Sequence, residues 1–132
     1  LAWLHATPKE AEKSRQSSFQ EFNPNLIEFP SVDGLETVIG HFHESGRVSY
    51  TGMGITPLTW QEMASWASTT NLLLPTWEIL VIREMSMAYV AEYNQASDPL
   101  REAPYRTEGA VISQREKVAK DLSAAFKLLK RD

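Results

Sequence analysis

His41 and His43, with Glu44 beside them, are the residues of this chain that come nearest to a metal-binding set. Imidazole and carboxylate are ligands that a divalent transition metal accepts, so the spacing decides. Two residues apart on a helix, the two rings point to nearly opposite sides, whereas a helical zinc site needs them four apart on one face. They read as solvated histidines near a helix end, and His5 stands alone. Glu62, Glu78, Glu84 and Glu92 could be paired on paper into acid–base chemistry. Two of them already have structural uses: Glu62 completes a helix cap, and Glu78 falls in a first turn, where the helix dipole favours a carboxylate. Gly46, Gly52 and Gly54 lack the strand–GxxxxGK[ST]–helix order of a phosphate-binding loop, and no serine or threonine has a recognisable nucleophile setting. The chain has no cysteine, which removes disulfides and thiolate metal sites. The reading is a protein with no catalytic residues, no metal and no cofactor.

The elements that would position these side chains centre on residues 57–93, which hold three of the four tryptophans. Leu58-Thr59-Trp60-Gln61-Glu62-Met63 is a capping box with its hydrophobic staple: the Thr59 hydroxyl accepts from the Glu62 amide, the Glu62 side chain reaches back, and Leu58 packs on Met63. Pro75 then opens a second helix, followed by Trp77 and Glu78. The expected result is a helical hairpin, about 60–69 and 75–94, joined through Thr70–Leu74. The second helix carries one apolar stripe of Trp77, Leu80, Val81, Met85 and Ala88, and another of Ile79, Ile82 and Tyr89. A helix apolar over so much of its circumference is central, covered by neighbours or by another chain.

Upstream, Thr7-Pro8-Lys9-Glu10 has the form of a cap and predicts a short polar helix to about Ser17. Residues 20–32 read as an extended connector pinned by Phe22, Leu26, Ile27 and Phe29. A helix from about Asp33 to Ser45 puts Leu35, Val38, Ile39 and Phe42 on one face and stops at Gly46. Residues 46–57 read as a glycine-rich loop with room for a brief extended stretch at Val48, Ser49 and Tyr50. Residues 95–112 look like a linker, and Ser113-Gln114-Arg115-Glu116 caps an amphipathic helix to about Lys130, with Val118, Leu122, Ala125 and Leu129 on its apolar stripe. The expected fold class is all-α: a small domain of about four helices with a central helical hairpin and an amphipathic C-terminal helix. Its parts are an N-terminal arm over 1–30, a helical core over 31–98, and a linker with the last helix over 99–132.

Composition narrows the function classes. The 132 residues are 42% hydrophobic and 23% charged, ordinary for one soluble globular domain. No apolar run approaches the roughly 20 residues of a membrane span. Residues 21–100 carry Glu21, Glu28, Asp33, Glu36, Glu44, Glu62, Glu78, Glu84, Glu92 and Asp98 against only Arg47 and Arg83. An acidic body repels phosphate, so the hairpin is a poor DNA reader. The last stretch is basic, through Arg115, Lys117, Lys120, Lys127, Lys130 and Arg131.

The run Pro57-Leu58-Thr59-Trp60-Gln61-Glu62, then Trp66, then Leu73-Leu74-Pro75-Thr76-Trp77-Glu78, then Ile82-Arg83-Glu84-Met85-Ser86-Met87-Ala88-Tyr89, resembles the tail assembly chaperones of long-tailed bacteriophages. Thr76 stands where that family often has a second proline, and Ile82 and Met85 replace two leucines. Val32-Asp33-Gly34-Leu35 and Met53-Gly54 resemble its upstream connector. The likeness covers roughly residues 30–93. It implies a non-enzymatic protein of the host cytoplasm, absent from the mature virion. Such a protein keeps the tape-measure protein soluble and brings tail-tube subunits to it. Nucleic acid and membrane are not among the implied partners; self-association is left open. Many such proteins arise by programmed frameshifting, and the start at Leu1 is compatible with a downstream, frameshift-encoded portion or a processed product.

The contact candidates are Trp60, Trp66, Trp77, Met85, Tyr89 and Tyr93, several of which must also serve as core. Tryptophan is enriched where protein partners meet, and methionine supplies adaptable apolar surface. The rival readings are a structural tail or neck component of the virion, and a small regulator that binds DNA or a host protein.

Overall fold

The computed structural model describes residues 1–105 together with 119 and 120. Helices α1 (Ala2–His5) and α2 (Arg15–Phe22) form the arm, followed by a 3-10 turn at Pro24–Leu26. Helix α3 (Glu36–Glu44) leads into strands β1 (Val48–Thr51) and β2 (Gly54–Pro57), then α4 (Trp60–Thr69) and α5 (Thr76–Gln95). The expected C-terminal helix over 113–130 lies, apart from Ala119 and Lys120, outside the described residues.

The fold is mixed α/β, with five α-helices and a two-stranded sheet among the described residues, and the all-α expectation is corrected. Residues 46–57, read as a loop, form an antiparallel hairpin that pairs Val48 with Pro57, Ser49 with Thr56, Tyr50 with Ile55 and Thr51 with Gly54. The chain reverses through Gly52 and Met53 and closes on Gly54, whose φ of +124° suits only glycine. A two-stranded ribbon is marginal by itself. This one lies against α5, and the buried Ser86 of α5 joins both of its outer ends: the Ser86 hydroxyl accepts from the Leu58 N–H at 2.8 Å and donates to the Arg47 carbonyl at 2.6 Å.

The capping box forms as the sequence requires. Thr59 Oγ1 accepts from the Glu62 N–H at 3.2 Å, and Glu62 Oε2 accepts from the Thr59 N–H at 2.8 Å. Leu58 and Met63 are both buried in one cluster with Val38, Phe42 and Ile82. Helix α4 ends in a Schellman motif: Asn71 sits at φ +54°, its N–H bonds to Ser68 O at 3.2 Å, and the Leu72 N–H bonds to Ala67 O at 2.9 Å. The central helix is α5, but its principal neighbours are α3, β2 and α1 rather than α4. Helix α4 instead touches the cluster through Met63 and Trp66.

The arm departs from expectation. No helix starts at Thr7; Glu10 is left-handed at φ +67°, and the cap is Ser14, whose hydroxyl accepts from the Ser17 N–H. The cause lies about 80 residues away. Buried Arg15 donates to Ala96 O at 2.5 Å and Asp98 O at 2.8 Å and stacks on Trp3 at 4.6 Å, while the Lys9 N–H bonds to Ser97 O at 2.9 Å. Phe22 and Phe29, read as pins, are exposed.

Candidate protein-binding site

Helix α5 turns the Ile79, Ile82, Tyr89 stripe inward, and Met85, expected on the other stripe, goes in with it. Ile79, Ile82, Met85 and Tyr89 face the core cluster. Glu78 and Ser86 are buried among them. Trp77, Leu80, Val81 and Met87 stay on the surface, with Trp77 56% and Leu80 50% exposed. Ala88 and the carboxylate Glu84 share that outer face. The spacing 77, 80/81, 84, 87/88 follows one side of a helix, so these residues form a continuous row.

Beside it lies an apolar groove of about 200 Å³ between α4 and α5, lined by Trp60, Met63, Trp66, Leu74, Ile79 and Ile82. Trp60 is 52% exposed, and the Arg83 guanidinium stacks on its ring at 4.9 Å. The same guanidinium donates to Leu58 O at 2.5 Å, so one side chain fixes both the ring and the entry to α4. Leu73, in the turn above the groove, is 100% exposed.

Titratable groups near the groove are tied into structure. Glu62 accepts from Ser49 and twice from Thr59, and these hydrogen bonds, that from Ser49 foremost, hold its carboxyl below its ordinary range. His41 Nδ1 lies 2.5 Å from the buried Glu78 Oε1, and its ring meets Trp66 edge-on at 5.7 Å. Glu78 therefore faces a side chain of α3 rather than only the dipole of its own helix. His43 is exposed, apart from that pair. Among the described residues, no three His, Cys, Asp or Glu groups converge as metal ligands would.

The six contact candidates fall into two places. Trp60 and Trp66 line the groove, and Trp77 stands on the outer row. Met85 and Tyr89 pack against the core, and Tyr93 stacks on Tyr89 with ring centres 6.3 Å apart. Leu73, Leu80, Val81 and Met87 complete the exposed surface without having been singled out. The signal for Leu80 and Val81 was present in one stripe of α5, whereas Leu73 lies in the turn before the helix and Met87 stands in neither stripe; which side turns outward depends on α3, the hairpin and α1.

The motif residues acquire a common purpose from this geometry. Thr59 and Glu62 start α4, Arg83 and Ser86 fasten the Leu58 backbone to α5, and Tyr89 bonds through its hydroxyl to His5 Nδ1 at 2.5 Å. They fix how α4, α5 and the hairpin sit against one another. A family model described as phage tail assembly chaperone matches residues 19–91, from α2 through most of α5. No curated protein and no solved structure matches the chain. With more than half of its length matched, and the matched part containing the groove, the outer row and the clamps that support them, this chain belongs to the phage tail assembly chaperone family.

Proposed function

We propose that the outer row of α5 and the α4–α5 groove grip an amphipathic helix of the tape-measure protein during tail assembly in the host cytoplasm, and that tail-tube subunits later displace it. The observation that carries this reading is the row Trp77, Leu80, Val81 and Met87, apolar and solvent-exposed on the helix that organises the fold. A client helix laid along α5 would bury that row and place one bulky side chain in the groove beneath Trp60, the helix-in-groove mode of recognition. Met87 and the long outer side chains adapt to several client registers, which suits a protein that must bind weakly and let go. Glu84, set in the row, favours a client with a basic residue at that point. No helix among the described residues is long and apolar enough to cross a membrane.

Co-expression with the tape-measure protein tests the proposal. Soluble tape-measure protein that co-purifies with this chain is the expected result. Tape-measure protein that stays insoluble, or soluble but unbound, would overturn it.

A further inference from the structure

A second cavity, of about 290 Å³, opens between the arm, the β-hairpin and the carboxyl half of α5. Its walls include His5, Arg47, Tyr50, Ile55, Tyr89 and Tyr93, and it shares no lining residue with the α4–α5 groove. Arg47 is its charge. Only Arg47 and Arg83 are basic within residues 21–100, and Arg83 is occupied by Leu58 O and the Trp60 ring. The ion pairs among the described residues are Lys13–Glu21, His41–Glu78 and Arg101–Glu92. Arg47 is in none of them, and its guanidinium makes no hydrogen bond to a described residue. In so acidic a body an unpaired, partly buried arginine calls for a reason.

The backbone holds that side chain in place. Arg47 sits at φ +67°, the Val48 N–H bonds across it to Gly46 O at 2.8 Å, and Ser86 donates to its carbonyl. This is a γ-turn pattern, rare and strained, of the kind that persists where the surroundings enforce it. Neutral donors stand nearby. The Tyr89 hydroxyl is engaged by His5, whereas those of Tyr50 and Tyr93 have no partner among the described residues. Burial first, and then the charges of Arg47 and of the amino terminus, hold His5 below its ordinary range.

We propose that this cavity binds a carboxylate of a partner polypeptide, paired to the Arg47 guanidinium and hydrogen-bonded by Tyr50 and Tyr93. Arg47 is the one arginine or lysine of the lining, and with the phenol donors it matches a carboxylate. Ile55 and the phenol rings suit the carbon stem that carries the carboxylate. That the ligand is a polypeptide rests on membership of the chaperone family; the site itself does not depend on how the groove is used.

Peptides titrated into the full chain at fixed ionic strength test this, read by NMR at the Arg47 Nε–H and the tyrosine rings. One probe is acetyl-Ala-Ala-Glu-Ala-Ala-amide, whose carboxylate is a side chain. A second is acetyl-penta-alanine with a free carboxyl end, and the glutamine and amide counterparts of both serve as controls, beside inorganic phosphate. Saturable shifts centred on Arg47 with either carboxylate peptide support the proposal, and the responding arm identifies the source. Arg47→Asn, which tolerates the left-handed backbone, should weaken binding by about tenfold, and Tyr93→Phe should weaken it with Arg47 still present. Absence of shifts with both peptides, an undiminished response in Arg47→Asn and Tyr93→Phe, or tighter binding of phosphate would overturn it.

Discussion

Ser86 has no accessible surface, yet its hydroxyl satisfies two backbone groups that flank the open end of the hairpin, the Leu58 N–H and the Arg47 carbonyl. Ser86→Ala leaves both without that partner in the interior, at an expected cost of about 1–3 kcal/mol, readable in denaturant melts. Met87→Ser, one position along on the exposed face, should change stability by no more than about 0.5 kcal/mol in the same melts. The sequence displayed Ser86 only as a letter in a motif, because its partners lie 28 and 39 residues away. Arg83 was equally opaque. In the sequence it counts only as one of two basic residues against ten acids within residues 21–100, whereas in the fold it clamps Leu58 and shelves Trp60. Glu62 was the opposite case, since its partner Thr59 is three residues off and the capping geometry follows from spacing alone.

At the scale of elements, the start of α4 is pH-sensitive. Hydrogen bonds from Ser49 and Thr59 favour ionised Glu62 in the folded chain. Its folded value is depressed, so the contribution is complete above the unfolded carboxyl's range and is lost as pH falls through the lower folded value. Thermal melts from pH 6 to pH 3 should show a steeper loss for the natural chain than for Glu62→Gln. The two faces of α5 should also separate in melts: Ile82→Ala, in the core, costs about 2–5 kcal/mol, while Leu80→Ala, half exposed, costs well under that. Helices α3, α4 and α5 were legible because caps and period-3.6 stripes are local. The hairpin was not. Its strands are four residues long, its glycines mimic a loop, and its support comes from α5. The arm misled for the same reason, since Arg15 takes its partners from residues 96 and 98 and moves the cap from Thr7 to Ser14.

Among the described residues, α5 is covered on one side only. Helix α3, the hairpin and α1 bury Ile82 and its neighbours, and the opposite side keeps Trp77, Leu80, Val81 and Met87 in water. This exposed apolar row is the surface we propose for a client polypeptide, and membership of the tail assembly chaperone family implies that the clients are tail proteins. The sequence could show that α5 is apolar on two sides, but not which side the rest of the chain leaves open. The most direct test is the dissociation constant for the tape-measure protein, measured by calorimetry with the natural chain and with Leu80→Asp. A charge at the centre of the row should weaken binding by about tenfold or more while the melting temperature stays within a few degrees, because Leu80 supports no core. Equal affinity of the two proteins would contradict the account.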